Sequence, residues 1–158
     1  ILKHPRARVV LTRPIVAADE DMGYLPGDMD QKMEPWTRPM YDIFEQSMTH
    51  NQMDRCISIE PLGYMRGRTF HHTLIIADEM QNSTPNQMKL LLTRIGEGTK
   101  IIVTGDLEQS DLEGDNGLEN LVYKMQCMEL DYIQHVEMGD DDIVRHPAVK
   151  EVLGILSK

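Results

Sequence analysis

Two short apolar runs, each ending in acid, constrain the fold of this chain more than any other feature. Leu74-Ile-Ile-Ala77 leads into Asp78-Glu79, and Ile101-Ile-Val103 leads through Thr104-Gly105 into Asp106, with Gln109 close behind. Aliphatic runs without polar alternation read as strands buried in a parallel sheet. Two charged carboxylates directly after such a strand are costly to bury unless a cation and a water need them. The bland alternative is a strand that ends in exposed acids at a loop.

The segment between the runs has strong helix signals. Thr84 suits the N-cap, Pro85 the first helical position, and Gln87 completes a capping box. Met88, Leu91, Leu92 and Ile95 form the apolar face, and Gly96 is a natural stop. A strand–helix–strand crossover of this kind places both acid ends at the same sheet edge, where open α/β folds bind ligands.

The remaining pattern alternates short strands and helices, which predicts an α/β fold with a mostly parallel sheet. Val9–Leu11 reads as a first strand ending at Thr12-Arg13-Pro14, and residues 15–35 as mostly loop. Met40, Ile43, Phe44 and Met48 predict an amphipathic helix over 36–48. A strand is expected at Ile57–Ile59, a basic turn over Tyr64–His72, a helix from Gly117 to Met128 and a strand at Tyr132–Val136. The last helix starts near Pro147 and is expected to carry Val149, Val152, Leu153 and Leu156 inward. No internal repeat or linker interrupts residues 1–158, so one domain is expected.

A chain of 158 residues is long enough to bury about two thirds of the surface its unfolded form exposes. Its net charge of −10 argues against coating nucleic acid through bulk electrostatics, though not against a local basic track. Lys3, His4, Arg6, Arg8 and Arg13 make the N-terminal stretch basic, while Asp140, Asp141 and Asp142 concentrate acid near the other end. No stretch approaches the roughly 20 apolar residues of a membrane span. Cys56 and Cys127 lack metal-ligand spacing or a disulfide framework, which points to a reducing, cytoplasmic setting.

An acid pair at the end of a buried strand is how a P-loop NTPase presents its Walker B residues: one acid holds Mg²⁺ and the next polarises the attacking water. A polar side chain such as Gln109, beside a γ-phosphate, can sense hydrolysis. The partner motif that cradles phosphates, GxxxxGK[ST], occurs nowhere in the chain. Gly96-Glu-Gly98 and Gly114-Asp-Asn-Gly117 lack the Lys and the strand-to-helix context.

Several further segments stand in a recognisable order: Leu11-Thr-Arg-Pro14, Gly23-Tyr-Leu-Pro-Gly-Asp28, Tyr64-Met-Arg-Gly-Arg-Thr69, Ile76-Ala-Asp-Glu-Met-Gln-Asn82, Leu92-Thr-Arg-Ile-Gly96, Val103-Thr-Gly-Asp106 with Gln109, and Arg145-His-Pro147. In these the chain resembles the PhoH family of P-loop ATPases, over nearly its whole length. The resemblance implies a RecA-like core related to the first motor domain of superfamily-one helicases, with ATP and Mg²⁺ as ligands and a link to RNA unwinding or processing. It implies that Asp78 is the Mg²⁺-water ligand and Glu79 the general base. By the same likeness Asp106 and Gln109 connect the γ-phosphate to a strand-binding surface, Thr104 joins Asp78 and Asp106 in binding the nucleotide, and Thr12 and Arg13 touch the nucleic-acid backbone. Arg13 also reads as an ordinary surface arginine. Arg145 is a candidate phosphate sensor or finger in a homo-hexameric ring, or else a local ion-pair partner. Arg66 and Arg68 face phosphate or RNA, or simply neighbouring acids.

Other residues carry blander readings. His71 and His72 are adjacent and point in different directions, which argues against a shared metal. The twelve methionines read as core filler, and Trp36 either stacks a base or packs at a helix start. Family members carry the P-loop strand and helix ahead of the Thr-Arg-Pro strand, and the chain begins with Ile1. The expectation is therefore an N-terminally incomplete domain lacking that strand, which would lie beside the Thr-Gly-Asp strand. Two alternatives stand beside ATP hydrolysis: an RNA-binding or assembly module without intrinsic hydrolysis, and a ribonuclease with metal on Asp78 and Asp106.

Overall fold

Four strands form one all-parallel sheet: β1 (Arg8–Thr12), β2 (Ile57–Ile59), β3 (Thr73–Ala77) and β4 (Lys100–Val103), in the order β2-β1-β3-β4. They are seen in a computed structural model that describes residues 7–14, 38–139, 142, 144 and 146–156. The helices are α1 (38–45 among the described residues), α2 (His50–Cys56), α3 (Pro85–Leu92), α4 (Gly117–Met125) and α5 (Pro147–Leu156). The α/β class and the parallel sheet are as the sequence predicts.

Strand alternation sorts the core into two layers. Val10, Ile75 and Ala77 join Leu62, Met65, Met80, Met88 and Leu91, with Leu118 and Leu121 of α4 against them. Val9 and Leu11 join Met53 and Ile57, with Met40, Tyr41 and Phe44 of α1 against them. Thus α3 and α4 cover one side of the sheet, α1 and α2 the other. Methionine fills both layers: Met53, Met65, Met80 and Met88 are all buried.

Helix α3 starts where its cap residues predict. Thr84 Oγ1 accepts from the Gln87 amide, and the Gln87 side chain accepts from the Thr84 amide. Met88 and Leu91 are buried, but Ile95 lies beyond the helix and is half exposed. Helix α2 was not expected from periodicity. It begins at a capping box between Thr49 and Gln52 and buries only Met53.

One predicted strand is absent. Tyr132–Val136 is not paired, and Tyr132 is 99% exposed. The reason is positional: a β-prone segment becomes a strand only with a ladder partner, and none of the described residues supplies one. Helix α5 leaves Val152 and Ile155 exposed and Val149 half-buried, so the expected inward face is only partly covered. The predicted loop over 15–35, Trp36, and the side chains of Leu153 and Leu156 lie outside the described residues.

The two acid-bearing strands are joined at both ends. At their N-terminal end, Phe70 O accepts from Gly96 N (2.8 Å) and from Thr99 Oγ1 (2.7 Å), and the Phe70 and His72 amides donate to Arg94 O (3.0 Å) and Glu97 O (2.9 Å). On its other side, β4 has no strand partner among the described residues, and Ile102, on the sheet face it shares with Ile76, is 41% exposed.

Candidate functional site

Register alone brings the C-terminal ends of three neighbouring strands together. Thr12 pairs with Ala77, and Ala77 with Val103. The ladder continues one step further: Asp78 N donates to Thr12 O (3.0 Å), Thr104 N to Ala77 O (2.9 Å) and Met80 N to Thr104 O (2.9 Å). Asp78 and Glu79 therefore stand beside Thr104, as the crossover predicts.

Glu79 adopts a left-handed backbone, φ 54° and ψ 37°, which costs a non-glycine residue roughly 1–2 kcal/mol. That single residue turns the chain out of β3 into the tight turn Met80–Asn82. Asp78 and Glu79 are half-buried at this bend, and Thr104, Asp106 and Gln109, which follow β4, are exposed.

Side chains then fix the acids. The Thr104 hydroxyl donates to Asp78 Oδ1 at 2.5 Å. Gln81, only 1% exposed, donates through Nε2 to Glu79 Oε2 (2.6 Å) and to Gln109 O (3.3 Å), while its Oε1 accepts from Asp106 N (3.2 Å). Asp106 is held as a turn cap: Oδ1 accepts from Glu108 N (3.0 Å) and Oδ2 from Gln109 Nε2 (2.6 Å). Ser110 Oγ donates to Gln81 O, and Asn82 Oδ1 accepts from Asp111 N. Asn116 caps α4 through Leu118 N and Glu119 N, and its Nδ2 donates to Ser110 Oγ. The turn after β3 thus grips the whole segment from Asp106 to the start of α4.

The charge is one-sided. Asp78, Glu79 and Asp106 form no ion pair among the described residues, so their field favours a cation. No group of three metal-ligating side chains occurs among the described residues. A single carboxylate, Asp78, backed by Thr104, fits Mg²⁺, which keeps several waters and takes oxygens from bound phosphates.

The other predicted residues divide. Thr12 is fully buried, its hydroxyl without a hydrogen-bond partner among the described residues, so its side chain is not open to a nucleic-acid backbone in this structure. Arg13, next along, is half-buried. Arg68 is exposed but engaged: it pairs with Glu60 at 2.6 Å and lies 4.7 Å from the Phe70 ring centroid. Glu60 follows β2, which β1 separates from the acids on β3. Arg145 and Gly23–Asp28 lie outside the described residues. Gln81 was missed as a site residue. Its signal was present, an amide two residues after Glu79, but nothing in its spacing says that it is buried.

The sequence matches the family model for PhoH-like proteins over residues 1–157. It is 42% identical over 156 residues to a PhoH-like protein of Bacillus subtilis (strain 168), covering 96% of this chain and 49% of that protein. A PhoH-like protein of Synechocystis is 41% identical over 160 residues, covering 97% of this chain and 48% of its own length. Protein PhoH of Escherichia coli (strain K12) is 39% identical over 155 residues, covering 92% and 43%. The chain spans about half the length of these curated relatives. The four-stranded parallel sheet, with acids at the ends of adjacent strands, is of the RecA-like P-loop NTPase type. Sheet, site segments and a match along nearly every residue agree: the chain belongs to the PhoH-like protein family.

Proposed function

We propose that this chain carries the hydrolytic side of an ATPase site. The observation that carries the reading is the juxtaposition of Asp78 and Glu79 with Thr104 and the Asp106–Gln109 turn, joined by the Thr104–Asp78 hydrogen bond and by Gln81. Asp78 would hold Mg²⁺ through its waters. When bound, that ion neutralises charge on the β- and γ-phosphates. Glu79 orients the attacking water and takes its proton, and Gln109 faces the γ-phosphate from the neighbouring turn. The phosphate-cradling strand, with its GxxxxGK[ST] loop, would lie along the open side of β4 in the full-length protein. The edge of β4, without a strand partner among the described residues, supports that placement.

The nuclease reading is weaker because both oxygens of Asp106, just after β4, accept hydrogen bonds from its own turn, which holds that carboxylate as a turn cap. Coupling to RNA rests on the family resemblance and on Arg13, since Arg68 is paired with Glu60. In the full-length protein, Glu79→Gln is expected to lower ATP turnover by at least about 100-fold, on the scale of a lost general base, with ATP still bound. Measured by phosphate release and nucleotide binding, wild-type turnover in this variant would remove Glu79 from the role.

A further inference from the structure

We infer that Gln81 is a positioning residue, which holds the Glu79 carboxylate against the Asp106–Gln109 turn so that the base and the phosphate-facing residues move as one. The inference rests on the ATPase reading above. Gln81 is 1% exposed, and each end of its amide is engaged by the protein. The amide has one possible sense. Oε1 faces the Asp106 N–H, while Nε2 faces two acceptors, Glu79 Oε2 and Gln109 O. A flipped amide would set donor against donor and oxygen against two oxygens.

Two further features are built around this side chain. A Cβ on Gly105 would stand 2.7 Å from Gln81 Oε1 and 3.0 Å from Gln81 N, so the β4 turn approaches this closely only as glycine. Ser110 Oγ donates to Gln81 O (3.1 Å), fixing the backbone beneath the amide. Glu79 itself sits in a left-handed conformation. Its carboxylate has one hydrogen-bonding partner among the described residues, and that partner is Gln81. A base with a bent backbone and a single side-chain contact takes its aim from that contact. Displacing a reacting group by about 1 Å costs on the order of 100-fold in rate.

Gln81→Met in the full-length protein keeps the volume and removes both halves of the amide. It is expected to lower kcat by roughly 10- to 100-fold while the KM for ATP changes by less than about threefold, since only uniform binding would move KM alone. A second comparison reads the contact without catalysis. Gln81→Glu sets two carboxylates together and is expected to lower the melting temperature; adding Glu79→Gln restores one donor–acceptor pair, though not the bond to Gln109 O, and is expected to recover part of the loss. If Gln81→Met does not fold, this melting comparison decides alone. Wild-type kcat in Gln81→Met while Glu79→Gln is inactive overturns the positioning role and leaves the ATPase reading standing. A double variant that melts no higher than Gln81→Glu overturns it as well. Wild-type turnover in Glu79→Gln removes Glu79 from the role of base, and the positioning role falls with it; absence of ATP hydrolysis by the wild-type full-length protein sinks the ATPase reading itself.

Discussion

Thr104 is exposed, yet its hydroxyl donates to Asp78 at 2.5 Å, so its contribution belongs to the site more than to the core. Thr104→Ala is expected to leave the melting temperature nearly unchanged and to raise severalfold the Mg²⁺ concentration that supports half-maximal ATPase activity. A titration showing no change would separate Thr104 from the carboxylate proposed to hold the metal. Gly117 has the opposite character. A Cβ there would meet Thr84 O at 2.6 Å, Thr84 C at 2.8 Å and Ser83 O at 2.9 Å, all backbone atoms. Because backbone yields less than a side chain, Gly117→Ala is expected to cost about 1–3 kcal/mol in urea unfolding. The acids were legible in the sequence because charge at the end of a buried strand is expensive and therefore informative. Gln81 was not: a neutral amide is common on surfaces, and its burial depends on a turn 25 residues away in sequence.

Helix α3 was legible because its start is written locally, in Thr84, Pro85 and Gln87. Removing that signal with Thr84→Ala is expected to lower stability by about 0.5–2 kcal/mol, measured as a shifted denaturation midpoint with unchanged slope. Helix α2 was not legible, since seven residues with one buried side chain carry little periodicity. A helix that short is marginal without tertiary contacts, and Met53 supplies them by reaching Val9 and Leu11. The segment Tyr132–Val136 fails in the reverse way: its residues favour a strand, but pairing is decided by what lies alongside.

At the scale of the whole molecule, β4 has one side without a strand partner among the described residues and an exposed Ile102 on a sheet face, the kinds of surface that add strands or associate. Produced alone, these 158 residues are expected to self-associate in sedimentation, and Ile102→Lys to reduce that association. Unaltered association in the variant would place the contact elsewhere. The ties at both ends of the β3–β4 pair have a mechanical consequence. Phe70 and His72 clasp the 94–99 turn at one end, while Met80 and Gln81 clasp Thr104 and Asp106 at the other. Neither strand can slide along the other without opening both clasps. Any displacement of the acids must therefore be accommodated at seams outside this pair, along β1 or on the far side of β4, as a plank shifts between its neighbours without bending.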